Sequence, residues 1–344
     1  VSLLGGAGYS LVVSIPLISG TFCYLTGLQD GLPLHVISGL ACVLLFSCSA
    51  YLGLSKGIKR LSDWNIYLSF GLLLFILAAG PTIFILNSSL SSLGFMAQNF
   101  LVMSTWTDPF SDSGFVANWT IFYWAWWLSY APFVGLFVAR ISRGRTIRQV
   151  ILGMLLFGSG GCMLFFMILG NYAFHVERVE DAGILSLLTT EDGGYVDAIL
   201  RILQTLPMPS LVTGVFCLIC VIFCSTTYDS ASYIIAATVT RKTQVTDEPA
   251  KWNRLFWAFA LAALPLTIMW IDHKQQARIA ETGMQSILLL TSLPIIILLA
   301  LSAWSLTKQL AKDKLHSNSS RFKKQESPQF APSKTPPPTR LDEM

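Results

Sequence analysis

With 344 residues, 53% of them apolar and only 12% charged, a mean hydropathy of +0.60 and a net charge of +4, this chain is no ordinary water-soluble domain. Soluble domains carry about 25% charged residues, and half that density cannot cover a body of this size with polar surface.

Crossing about 30 Å of hydrocarbon takes roughly 20 apolar residues. Eight runs meet that length, at 1–25, 33–54, 64–87, 118–139, 147–173, 209–239, 254–272 and 283–307, forming a transmembrane domain over 1–307. The first run begins at Val1 without methionine or a signal-peptide pattern, which suggests a chain whose N-terminal part is missing. The second run is followed by Lys56, Lys59 and Arg60. After the third, residues 90–104 are too short to span and predict an interfacial helix. The rest of that gap holds Asp108 and Asp112 without lysine or arginine. Asn87-Ser-Ser and Asn118-Trp-Thr are glycosylation sequons, both very close to the membrane.

The fourth run ends on Arg140, Arg143, Arg145 and Arg148. The fifth leads into Glu177, Glu180, Asp181, Glu191 and Asp192, then a short amphipathic helix over 193–206, ended by Pro207 and Pro209. The sixth carries Cys217, Cys220 and Cys224 on one face, with neither histidine nor a second cysteine pair to complete a metal tetrahedron. These and the cysteines at 23, 42, 48 and 162 read as buried, inert thiols. Asp229, deep in the same run, is costly unless paired or wet and is therefore functional or helix-orienting. Arg241, Lys242, Lys251 and Arg254 follow, and Lys308, Lys312 and Lys314 follow the eighth run. Basic gaps thus alternate with acidic ones, which orients every even gap and the C-terminus toward the cytoplasm of a multi-pass cell-membrane protein. The 308–344 tail, with eight basic residues and five prolines, reads as disordered and attracted to anionic lipid.

The fourth run carries the chemistry. Trp119, Tyr123, Trp126, Trp127 and Tyr130 fall at i, i+4, i+7, i+8 and i+11, an aromatic stripe on one helix face. Trp119 suits an interfacial belt, but Trp126, Trp127 and Tyr130 lie about 12–18 Å deep by helical rise. Indole N–H groups there need partners, so the stripe should face an interior cavity. Converging Trp and Tyr faces suit a quaternary ammonium, at about 0.5–2 kcal/mol per contact. Without Asp or Glu, the run favours a zwitterion or methylated cation over a primary amine. Pro132 frees the Leu128 carbonyl and Gly135 adds flexibility, so the far half could gate.

Trp119-T-I-F-Y-W-A-W-Trp127, followed by Ala139-R-I-S-R-G-R-T-I-Arg148, closely resembles the signature of the betaine/carnitine/choline transporters. The stretches 54–65, Gly80-P-T-I-Phe84, Thr107-D-P-F-Ser111 and Thr226-T-Y-D-S-A-Ser232 are similar to that family too. The resemblance implies an all-α integral membrane protein of the leucine-transporter inverted-repeat fold, with about eight of twelve transmembrane helices present, alternating access and a homotrimer. By position it implies substrate contacts from Trp124, Trp126, Trp127 and Tyr130, a gate at Phe133 and Phe137, and a sodium site from the Phe223 carbonyl with Thr226 and Thr227. Tyr130 leaves the substrate open, since sodium-coupled betaine carriers have tryptophan there and carnitine exchangers tyrosine. On sequence alone, the Thr226 and Thr227 hydroxyls could equally bond their own helix carbonyls. In the first run Gly6 and Gly8 stand where coupled members carry hydroxyls, leaving only Ser10 and putting a second sodium site in doubt. The four arginines after the fourth run serve topology or a cytoplasmic gate.

The expected function is sodium-coupled secondary transport (symport) of glycine betaine, choline or carnitine. Two alternatives stay open: a sodium-independent carnitine-type exchanger, and a non-transporting osmotic or substrate sensor acting through the tail. No enzyme is expected, because the chain has no nucleophile–base pair, phosphate loop or metal cluster, and His35, His175, His273 and His316 are scattered. No cofactor is expected beyond Na+ as coupling ion, and no nucleic acid.

Overall fold

The computed structural model describes residues 2–51, 55–111, 113–189, 194–240, 249–275 and 279–325. Every regular element among them is helical: α1 (Ser2–Thr26), α2 (Leu32–Tyr51), α3 (Ser55–Ala79), α4 (Thr82–Ser104), α5 (Phe122–Ile141), α6 (Ile147–Gly153), α7 (Gly160–Phe165), α8 (Asn171–Arg178), α9 (Ile184–Thr189), α10 (Tyr195–Gln204), α11 (Pro209–Val239), α12 (Lys251–Gln275) and α13 (Ile279–Gln325). π-helical turns lead into α5 at Val116–Ile121 and join α6 to α7 and α7 to α8. Seven stretches of described residues are long and apolar enough to cross a membrane: Leu3–Thr26, Arg60–Ala79, Val116–Ala139, Ile147–Arg178, Pro209–Val239, Lys251–Ile271 and Thr282–Lys312. The second expected run falls in α2, whose described apolar stretch Leu32–Leu45 is shorter, and residues 52–54 lie outside the description.

The expected span over 64–87 is divided. Pro81 has no N–H for the Leu77 carbonyl, which takes the Thr82 hydroxyl instead at 2.6 Å, and the helix restarts there as α4. Gly80 is required at the break, because a Cβ would lie 2.7 Å from the Ile76 carbonyl oxygen and 3.0 Å from the Tyr172 ring. The expected interfacial segment 90–104 is therefore the second half of α4. The sequon at Asn87 lies inside this helix, with Ser88 donating to Asn171 Oδ1 (2.7 Å) and buried Ser89 accepting from Asn171 Nδ2 (3.0 Å). A helical backbone with its hydroxyl residues engaged is a poor glycosylation acceptor. The 193–206 expectation corresponds to α10, with residues 190–193 outside the description.

Contrary to the expected disordered tail, residues 308–325 continue α13. The Leu, Ala, Lys and Gln of this stretch are strong helix formers and it contains no proline, so local propensity sustains the helix. Ile296–Met344 is a compact unit of its own, in which Lys308 lies over the Trp304 ring at 5.2 Å. Residues 326–344 are outside the description.

Residues 1–295 hold two apolar cores, and α11 belongs to both. Its C-terminal half, with Cys224, Tyr228 and Ala231, packs with α1, α2, α5, α12 and the start of α13. Its N-terminal half, with Val212 and Ile219, packs with α3, α4, α8 and α10. Glycines on α1 set the spacing: a Cβ on Gly8 would lie 2.6 Å from Met284 Cε of α13. Between α1 and α2, Asp30 takes a hydrogen bond from buried Ser19 at 2.5 Å and lies 3.1 Å from His35 Nε2. Partial burial opposes ionisation of Asp30, but the bonds from His35 and Ser19 outweigh it and bring its pKa down to about 2.

Candidate functional site: an aromatic face between α1 and α5

α5 packs chiefly against α1, so its aromatic residues divide by helical angle. Phe122, Trp126 and Tyr130 recur every four residues and face α1. There Tyr9, 5% exposed, presents its ring edge-on to Phe122 (4.9 Å, 66°) and to Trp126 (4.9 Å, 79°). Such T-shaped pairs add about 0.5–1.5 kcal/mol beyond their buried area. Gln285 Nε2 of α13 donates to the Tyr9 hydroxyl at 3.4 Å. One turn along, Tyr130 and Ser10 hydroxyls lie 3.0 Å apart. Gly6 makes that approach possible, since a Cβ there would stand 2.9 Å from Tyr130 Cε2.

Toward the start of α5 the rings form a ladder. Phe115 stacks near Trp119 (6.3 Å), Trp119 lies parallel to Tyr123 (5.8 Å, 5°), and Tyr123 meets Trp126 (5.8 Å). The expected stripe is therefore present at Trp119, Tyr123, Trp126 and Tyr130. Trp124 and Trp127 are not brought against α1 with Trp126 and Tyr130: Trp124 is 67% exposed on the far side of the helix, and Trp127, 65% exposed, lies at its flank. The helical period explains the split, because positions 124 and 126 lie about 160° apart around the axis. Of the gate candidates, Phe133 packs edge-on to Tyr130 at 6.1 Å, and Phe137 is exposed. α5 continues through Pro132. Thr146 and Gln149 then form a reciprocal capping box that starts α6, after a turn in which Gly144 takes φ +82°. Arg143, Arg145 and Arg148 are exposed, and the Arg140 side chain lies outside the description.

On α11, Thr226 and Thr227 both donate to the Phe223 carbonyl, at 3.0 and 2.9 Å. The own-helix bonds considered from sequence are thus made, and each hydroxyl oxygen keeps its lone pairs for another ligand. Phe223 and Thr227 line a cavity of about 140 Å³ with Ser10, Ser14 and Cys220.

Asp229 is paired. Arg254, in the first turn of α12 rather than in a loop, bonds its carboxylate and lies 5.3 Å from the Tyr233 ring centroid. Asn253 donates to Thr240 Oγ1 (3.0 Å) and to the Ala236 carbonyl (3.3 Å), extending this seam between α11 and α12. Cys224 and Cys42 are buried in the first core, whereas Cys162 is exposed rather than buried as expected, because its helix packs little there. Tyr9, Phe122 and Gln285 were not singled out from sequence. A tyrosine in the glycine-rich start of α1, three residues after Gly6, was the available signal.

Comparison with known proteins gives one match to a family model, described as BCCT, betaine/carnitine/choline family transporter, over residues 1–315. The chain is 34% identical over 313 residues to the uncharacterized transporter YeaV of Escherichia coli, covering 91% of this chain and 63% of that protein. It is 36% identical over 314 residues to a carnitine transporter of Acinetobacter baumannii (90% and 55%). It is 30% identical over 308 residues to a glycine betaine transporter of Acinetobacter baylyi (90% and 45%). The chain therefore spans less than two thirds of the length of these relatives.

Proposed function

The chain belongs to the betaine/carnitine/choline family of transporters, and on that premise we propose that it carries a quaternary-ammonium solute, held by its cationic head against the aromatic side chains of α5. The observation that carries this reading is the anchoring of Trp126 and Tyr130 by Tyr9 and Ser10 of α1. Rings held in one orientation are preorganised for cation-π contact, which avoids the cost of ordering them on binding. Trp127 lies about 60° from Tyr130 around the helix and supplies a further face on the exposed side. The absence of any Asp or Glu from α5 favours methylated cations and zwitterions, a class to which glycine betaine, choline and carnitine belong.

Sodium coupling is part of the proposal. The Phe223 carbonyl with the Thr226 and Thr227 hydroxyls offers hard oxygen atoms at one turn of α11, as a sodium ion requires. Gly6 and Gly8 on α1 favour the rival reading, a sodium-independent exchanger, because they offer no hydroxyl. Basic gaps support a cytoplasmic C-terminus, and likeness to a family of secondary transporters supports alternating access as the mode of transport.

Uptake of radiolabelled betaine, choline and carnitine into cells expressing the protein, in sodium and then in potassium medium, tests both parts. Uptake of at least one solute, abolished in potassium, is expected. Undiminished uptake in potassium rejects sodium coupling alone, and failure of all three solutes to bind rejects the aromatic-site reading.

A further inference from the structure

α10 carries Asp197, Arg201 and Gln204 on an exposed polar face and turns its apolar residues inward. Ala198 and Leu203 are buried in the second core, and at that end the hydroxyls of Thr205 and Tyr172 lie 2.9 Å apart. The other end of α10 crosses to the first core. Tyr195 donates from its hydroxyl to the Val13 carbonyl of α1 at 2.8 Å. Val196 fills the space that a Cβ on Gly20 would need, with Leu200 Cδ1 3.9 Å from it, so the glycine admits α10 against α1.

Val13 lies about 20 Å from the Thr26 end of α1 by helical rise. Tyr195 therefore reaches well into the bundle, to the turn next to Ser10. Positions 6, 9, 10, 13 and 20 fall within about 100° of one another around α1. α10 thus sits on the face of α1 that meets Trp126 and Tyr130, displaced toward the Thr26 end. In the same turn Pro16 lacks the N–H that would bond the Val12 carbonyl, so α1 is short of one of its own bonds where Tyr195 grips it. The acidic fifth gap, which contains α10, reads as external. A solute arriving from outside along this face meets Tyr195 before it meets Tyr9 and Ser10.

We propose that Tyr195 is a positioning residue for transport: its bond to Val13 holds α10 across the outer end of the aromatic face, and an external solute reaches Ser10 and Tyr130 only when that bond opens. The inference rests on the aromatic-site reading above and on the external placement of α10. One net hydrogen bond biases such an equilibrium about two- to tenfold, enough to favour the closed contact and little enough to break in each cycle.

The test is the rate at which external MTSET, a membrane-impermeant trimethylammonium thiol reagent, modifies Ser10→Cys in intact cells, read by gel shift after counter-labelling. The chain with its native serine supplies the blank for the native cysteines, and Ser14→Cys, in the same cavity, is a second probe. Tyr195→Phe removes only the hydroxyl and is expected to raise the rate about two- to tenfold. Gly20→Ala pushes Val196 off α1 and is expected to raise it at least as much. The two together should stay within twofold of Gly20→Ala alone, because both open one contact. Arg254→Met, which loosens α11 from α12 near the opposite end of the bundle, is expected to leave the rate within twofold. No acceleration in Tyr195→Phe, probes that stay unmodified in every variant, or an equal acceleration in Arg254→Met overturns the proposal, the last because general loosening would then explain the access. Failure of betaine, choline and carnitine to bind the unaltered purified protein overturns the aromatic-site reading and this proposal with it.

Discussion

Replacing Arg254 by methionine tests whether the Asp229–Arg254 pair holds α11 to α12. Asp229 is 9% exposed on a helix that reads as membrane-spanning, and the guanidinium of Arg254 is its ion-pair partner. Removing the cation leaves a buried carboxylate uncompensated, a change that costs about 3–5 kcal/mol. The Arg254 stem packs beside Tyr233, and methionine retains most of that volume, so lost packing adds little. Double replacement, Asp229→Leu with Arg254→Met, removes both charges and should recover most of the loss, because a buried pair exchanged for apolar residues is often neutral. The assay is equilibrium unfolding in mixed micelles, titrated with SDS and followed by tryptophan fluorescence, for the unaltered protein, both single variants and the double variant. A coupling energy below about 0.5 kcal/mol, or single variants as stable as the parent, would show that water reaches the carboxylate and that the seam rests on Asn253 and packing.

Other consequences are narrower. Gly80→Ala drives a Cβ to 2.7 Å from the Ile76 carbonyl oxygen and 3.0 Å from the Tyr172 ring; overpacking of this kind should cost about 1–3 kcal/mol and lower the thermal midpoint measured by fluorescence-detected size exclusion. Below about pH 4, stability contributed by Asp30 should fade. Its carboxyl is held at about 2 against an ordinary 3.8, so the contribution is full above the higher value and disappears as pH falls through the lower. With 44% of that side chain exposed, solvent screening reduces the effect to about 1 kcal/mol, and Asp30→Asn should flatten the melting-temperature profile between pH 4 and 2. Trp126→Ala removes the ring that Tyr9 holds edge-on and, like Trp127→Ala, should abolish binding of a trimethylammonium ligand, while Trp119→Phe should bind within about twofold of the parent because Phe preserves stacking on Tyr123. Equal affinities in all three variants, by titration calorimetry, would reduce the stripe to packing.

Much of the architecture could be read without coordinates because the bilayer imposes a one-dimensional rule. A run such as 209–239 must be helical to satisfy its own backbone in lipid, and its length and apolar character are local properties. The aromatic stripe was legible for the same reason, since helical period alone puts Trp119, Tyr123, Trp126 and Tyr130 on related angles. That period also contained the separation of Trp124 from Trp126, which positional likeness to the family had merged into one wall.

What the tertiary structure decided lies in pairings across long sequence separations. Tyr9 and Ser10 reach Trp126 and Tyr130 from well over a hundred residues away, Asn171 reaches Ser88 and Ser89, and Arg254 reaches Asp229. No local periodicity encodes such contacts. They depend on how close two helices come, which here is set by Gly6 and Gly80, positions where a single Cβ would collide with a ring. The sequence by itself determined that α5 carries an aromatic face suited to a methylated cation. Only the packing of α1 against it decided that Trp126 and Tyr130 are the anchored members, with the Tyr130 hydroxyl against Ser10, because a contact between helices is a property of neighbours in space.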